Sequence, residues 1–71
     1  MRMTLSDLRI SHNITQKEIE KRTGIPYDTY RSYEYGRQFP KAKAIIALAK
    51  LYSLAPGELF EMLCREKGLI P

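Results

Sequence analysis

The sequence predicts an all-α fold, one compact domain built from five short helices. Three observations carry that prediction. Apolar residues recur at the i, i+3, i+4 and i+7 spacing of one helix face. Residues that start and stop helices bracket these runs. No stretch alternates apolar and polar residues in the β manner, and the alanine- and leucine-rich blocks oppose strand formation.

Thr4 reads as an N-cap, with Asp7 three residues on, near the positive end of the first helix. Leu5, Leu8 and His12 follow on one face, and Asn13 tolerates the left-handed backbone that stops a helix. In "ITQKEIE", Thr15 and Glu18 form a capping box, and Ile14 ahead of the cap is set to staple back onto Ile19. Gly24 ends this second helix after about two turns. The third opens at Pro26, whose fixed φ suits a first helical position and whose missing N–H costs nothing there, and it ends at Gly36. After the loop "GRQFP", a fourth helix from Lys41 places Ile45, Leu48, Ala49 and Tyr52 on its inner face. The fifth begins at Pro56 and buries Leu59 together with Leu63 or Phe60. The closing "CREKGLIP" reads as a frayed end, so the single domain (residues 1–71) divides into a core over 4–63 and a tail over 64–71.

A chain of 71 residues makes one domain of modest stability, because small chains bury a limited fraction of their surface. The longest apolar run, Ala44 to Ala49, is far shorter than the roughly 20 residues of a membrane span. The lone Arg2 is followed by no apolar stretch of the signal-peptide kind. Cys64 is the only cysteine, which excludes an internal disulfide and points to a reducing cytoplasm. His12 and Cys64 fall on different predicted helices, and no second thiol or imidazole accompanies them, so neither a metal site nor an enzyme nor any cofactor is expected. No small-molecule ligand is evident.

Charge placement says more than its total of +4. Residues 1–43 carry nine basic and five acidic side chains, whereas residues 44–71 carry three of each. The excess therefore sits around "PYDTYRSYEYGR", which holds four of the five tyrosines, at positions 27, 30, 33 and 35. Either a solvated basic surface or a polyanion-binding one would look like this. Tyrosine suits a core edge as well as a contact surface. Tyr30 is expected to pack inward, Tyr33 is divided between the two, and Tyr35 is either a phosphate contact or an exposed ring.

Two short helices meeting across "RTGIP" make a helix-turn-helix arrangement. From Leu5 to Phe60, some 56 of 71 residues, the chain resembles the Cro and phage-repressor (XRE-like) type of helix-turn-helix domain. The residues that carry the likeness are Leu5, Leu8 and Arg9, then "ITQKEI", "TGI", "YEYGR", "IIALAKLYSL" and "PGELF". The resemblance implies a five-helix bundle of the lambda-repressor-like type, acting as a sequence-specific double-stranded DNA-binding regulator with its third helix in the major groove. It puts Tyr27, Asp28 and Ser32 at base-reading positions, with Thr29 and Arg31 close enough to assist. Asp28 is suited to cytosine N4, Ser32 to several bases, and Tyr27 to a thymine methyl. Asp28 paired with Arg31, one turn on, is the competing structural reading.

Phosphate contacts are implied for Thr15 and Gln16 at the start of the second helix, where free N–H groups favour an anion. Tyr35, Arg37, Gln38, Lys41 and Lys43 would form a second grip, fixing register without reading sequence. Arg9 and Glu34 match a salt bridge of the family. A homodimer is expected, formed in solution or only on DNA, with Phe60, Met62, Leu63, Leu69 and Ile70 as its contact candidates. Several positions depart from the family pattern. Glu20 stands where alanine is usual, Thr23 replaces an aliphatic residue and Tyr30 a smaller one, which suggests an interface in which Glu20 or Thr23 meets a tyrosine hydroxyl or Arg31. Pro26 and Ala55 leave their helices without a side-chain cap. The competing function is a protein-interaction module of the same fold, such as an antitoxin or adaptor.

Overall fold

Among the described residues five helices succeed one another: α1 (Leu5–Ser11), α2 (Gln16–Thr23), α3 (Tyr27–Glu34), α4 (Ala42–Leu51) and α5 (Pro56–Lys67). The computed structural model describes residues 3–71; Met1 and Arg2, and with them the start of the N-terminal segment weighed above, lie outside the described residues. Among the described residues there is no strand, and no helix is long and apolar enough to cross a membrane.

The first two helices start as their sequences dictate. Thr4 Oγ1 accepts the Asp7 N–H at 3.0 Å while the Asp7 carboxylate accepts the Thr4 N–H at 3.0 Å. Thr15 and Glu18 repeat the exchange at 3.1 and 3.0 Å. In both cases the threonine N–H, then its hydroxyl, holds the carboxyl below its ordinary pKa. Left-handed backbone follows α1 at Asn13 (φ 55°) and α2 at Gly24 (φ 79°). Ser53 at φ 58° turns the chain after α4 in the same way, at a residue whose type gives little warning of it.

Pro26 is not the first residue of α3. It is the cap residue, with ψ 143°, and Tyr27 begins the helix; the Pro26 carbonyl accepts the Tyr30 N–H at 2.9 Å. The extended ψ lengthens the turn by one residue and lets Ile25 enter the core. Lys41 is likewise the residue before α4. Ala55 offers α5 no side-chain cap, but Glu58 accepts the Ala55 N–H at 2.9 Å and supplies half of a capping box.

The core gathers Leu5, Leu8, Ile14, Ile19, Ile25, Tyr30, Ile45, Leu48, Tyr52, Leu59 and Leu63 from all five helices and from the connections after α1, α2 and α4. Leu63, not Phe60, is the second buried residue of α5; Phe60 stays 49% exposed, edge-on to Phe39 at 5.9 Å between centroids. Tyr30 is fully buried, and its hydroxyl lies 3.4 Å from that of Tyr52. Tyr33 is partly buried against the same core.

The segment read as a frayed end is helical as far as Lys67. Cys64 is buried, Glu66 Oε1 accepts the Leu5 N–H at 2.9 Å, and Lys67 Nζ donates to the Gly36 carbonyl at 2.7 Å. These partners lie 61 and 31 residues away, so nothing local in "CREK" announces them.

Candidate nucleic-acid interface

The inward side of α3 is fixed by polar contacts as well as by packing. Arg9 Nε donates to Glu34 Oε2 at 2.6 Å, Arg9 Nη2 reaches Oε1 at 3.4 Å, and Nη1 donates to the Ile14 carbonyl at 2.9 Å. Gln16 Nε2 adds a bond to Glu34 Oε1 at 2.9 Å. One carboxylate thus ties α3 to α1 and to the start of α2. The pair is withdrawn from water, with side chains 14% (Arg9) and 4% (Glu34) accessible. Burial alone would push the Glu34 pKa up, yet the bonds from Arg9, Tyr30 and Gln16 outweigh it and leave the carboxyl below its ordinary value. Glu34 in turn raises the Arg9 pKa.

The opposite side of α3 is polar. Asp28 projects outward with its side chain 91% accessible. Tyr27, Thr29 and Ser32 are half-buried along the same helix. Ser32 Oγ donates to the Asp28 carbonyl at 3.1 Å, which leaves its lone pairs able to accept. The Arg31 guanidinium lies 5.3 Å from the Tyr27 ring centroid and 5.5 Å from that of Tyr35, and the Arg37 guanidinium is 6.0 Å from the Tyr35 centroid. Arg31 Nη1 is 3.7 Å from Asp28 Oδ1, an ion pair too long for a good hydrogen bond. Both readings of Asp28 thus keep a footing, because it sits beside Arg31 without being consumed by it. The i, i+4, i+8 spacing of Tyr27, Arg31 and Tyr35 foreshadows this stack, which reading the residues singly overlooks.

Cationic groups flank the polar edge. Arg37, Gln38, Lys41 and Lys43 are exposed in the loop after α3 and at the start of α4. The Ser32 carbonyl accepts both the Arg37 N–H (2.9 Å) and the Gln38 N–H (3.4 Å), which ties this loop to the helix it follows. Lys41 and Lys43 share a surface depression with Thr29, Tyr33 and the Gly24–Pro26 turn. On the other side, Arg9, Asn13, Thr15, Gln16, Lys17 and Tyr27 line a second open depression. The Gln16 amide donates one N–H to Glu34, so its second N–H, its oxygen and the unpaired N–H groups at the start of α2 remain for a ligand there.

The interface suggested for Glu20 and Thr23 does not form. Glu20 is exposed. Thr23 Oγ1 donates to the Ile19 carbonyl at 2.7 Å and accepts the Ile25 N–H at 3.2 Å, so it closes the turn between α2 and α3 instead of reaching a tyrosine. A threonine hydroxyl at a helix end finds its own backbone before it finds a distant partner.

Residues 5–59, from the first residue of α1 into α5, match the helix-turn-helix family. The chain belongs to it. Over 55 residues it is 36% identical to the cryptic phage CTXphi transcriptional repressor RstR of Vibrio cholerae, an alignment covering 78% of this chain and 50% of that protein. This chain therefore spans about half the length of the curated relative it matches. No solved structure matches it. Helices α2 and α3 are the helix-turn-helix itself: they pack on each other across Gly24–Pro26, with α3 as the second, outward-facing member. Among the described residues no cluster of three or more His, Cys, Asp or Glu side chains could hold a metal ion.

Proposed function

We propose that this helix-turn-helix domain is a sequence-specific double-stranded DNA-binding transcriptional regulator, of the repressor kind, that lays α3 in the major groove. The observation that carries the reading is the two-sidedness of α3: Tyr30 and Glu34 lock it to the body, while Asp28 projects outward and Tyr27, Thr29, Arg31 and Ser32 around it stay partly exposed. Likeness to a phage transcriptional repressor supports it. In this reading the outward residues face base edges. Thr15, Gln16, Tyr35, Arg37, Gln38, Lys41 and Lys43 hold the backbone on either side, in register.

One short helix spans few base pairs, so specificity calls for two half-sites and a homodimer, in solution or on DNA. Leu63 belongs to the monomer's own core and Met62 packs against it, which leaves Phe60 and Leu69, at 49% and 66% exposure, with Ile70 beside them, for the two-fold contact. A solution mass equal to one chain both alone and on DNA removes the dimer. The domain acts in the cytoplasm, where the buried, unpaired Cys64 stays reduced.

The test is duplex affinity against salt, on sites enriched from a random pool. Engagement of several phosphates makes log K fall steeply with log salt, by about 0.9 per phosphate. Negligible duplex binding at every salt concentration refutes the reading in favour of a protein-interaction module of the same fold.

A further inference from the structure

The stack on the outer edge of α3 has a chemistry of its own. A free arginine side chain loses rotamer freedom whenever it is fixed on a ligand. Arg31 is held before any ligand arrives. Tyr27 stands one turn before it and Tyr35 one turn after, both within cation–π range at 5.3 and 5.5 Å. Its Nε is shut away from solvent with no hydrogen-bond partner, and the ion-pair contact of its fork is the loose one to Asp28 at 3.7 Å. The side chain is nonetheless 39% accessible, so part of the guanidinium reaches the surface. Asp28 places a 91% accessible carboxylate directly beside it.

We propose that Arg31 and Asp28 together read one G·C base pair in each half-site, with Tyr27 and Tyr35 as the rings that hold the guanidinium in position. The inference rests on the DNA-binding reading above and deepens it. In the major groove a G·C pair presents two acceptors, guanine N7 and O6, next to one donor, the cytosine N4 amino group. A cationic fork beside a carboxylate is the complementary pattern. The arrangement also accounts for a carboxylate on a surface that must approach phosphates: Arg31 screens Asp28 until the cytosine amino group takes its place.

Tyr35 has the same role from the far side. Its ring is 56% exposed and lies within 5.5 Å of the Arg31 guanidinium and 6.0 Å of that of Arg37, so it couples a base-reading residue to the loop that grips the backbone. It is a positioning residue, acting on bases only through Arg31.

The test uses the full chain and duplexes selected from a random pool, with wild type, Arg31→Lys, Arg31→Ala and Tyr35→Ala compared. Arg31→Lys keeps the charge and loses the planar fork. The selected wild-type site is expected to contain a guanine that Arg31→Lys no longer selects. On that site Arg31→Lys should bind roughly 10- to 100-fold more weakly, with an unchanged salt slope. Replacing that guanine with 7-deazaguanine should weaken wild type and leave Arg31→Lys unaffected. Tyr35→Ala should flatten the same guanine preference without shifting the rest of the consensus. The inference is overturned if Arg31→Lys selects the same guanine. It is equally overturned if Arg31→Ala weakens all sequences alike and lowers the salt slope by about one phosphate, which would make Arg31 a backbone contact. Either result leaves the DNA-binding reading standing. Absence of duplex binding by wild type removes both.

Discussion

Replacing Arg9 by methionine is the sharpest perturbation the fold offers. It keeps most of the side chain's volume and takes the charge from a partner only 4% accessible to water. Glu34 would retain Gln16 and Tyr30 but lose its counterion, and the Ile14 carbonyl would lose its donor. Stranding a buried charge costs about 3–5 kcal/mol. A chain of 71 residues has about 4–10 kcal/mol of stability in all, at roughly 0.05–0.15 kcal/mol per residue, so the single mutant should sit near the edge of unfolding at neutral pH. Arg9→Met with Glu34→Leu removes both charges and should recover about 2 kcal/mol or more of that loss. Urea denaturation of the four members of the cycle measures the coupling directly. Additivity within about 0.5 kcal/mol, or a cost below about 1 kcal/mol for Arg9→Met, refutes the reasoning.

The pH dependence gives an independent check with opposite signs in the two proteins. In wild type the Glu34 carboxyl is held below its ordinary value of 4.5, so its contribution is present above that value and is lost as pH falls below it toward the depressed folded pKa. In Arg9→Met the desolvation remains and the guanidinium does not. Only Gln16 and Tyr30 then oppose the desolvation, so the folded pKa is expected to rise above the unfolded one, with stability declining as pH rises through it. Mild acidification from neutrality should therefore stabilise the mutant, in the range where wild type is flat.

Three further outcomes are expected. Tyr30→Phe deletes the hydroxyl that faces Tyr52 at 3.4 Å and supports Glu34, and should lower the denaturation free energy by about 1 kcal/mol with the core otherwise intact. Thr23→Val keeps the shape but leaves the Ile25 N–H without its acceptor, costing about 1–2 kcal/mol by chemical denaturation. Ending the chain after Leu63 removes the Cys64, Glu66 and Lys67 contacts and should cost about 2–4 kcal/mol, where an unstructured tail would cost nothing measurable.

Most of the scaffold was legible in the sequence because its signals are local. The Thr4 cap, the Thr15–Glu18 capping box, the left-handed Asn13 and Gly24, and the inward face of α4 arise within a few residues of one another. The end of α5 was not legible, because what orders it is contact with the start of α1 and with Gly36, far away in the chain. Glu20 and Thr23 illustrate the same limit from the other direction: a departure from a family pattern says that something differs, not which atom the new group will face. The outward side of α3 was visible as a set of residues. Its internal arrangement, with a guanidinium between two tyrosine rings, depends on side-chain conformations that spacing alone suggests only in outline.

The separation of roles within α3 also bears on how such a domain diversifies. Tyr30 and Glu34 carry the helix's attachment to the body, whereas the Asp28 side chain touches little besides Arg31. Substitutions at so open a position usually change stability by no more than about 0.5 kcal/mol. On the base-reading role proposed for Asp28, new target preferences are therefore open by single exchanges on an unchanged frame, and a rewired descendant need not pass through a misfolded ancestor.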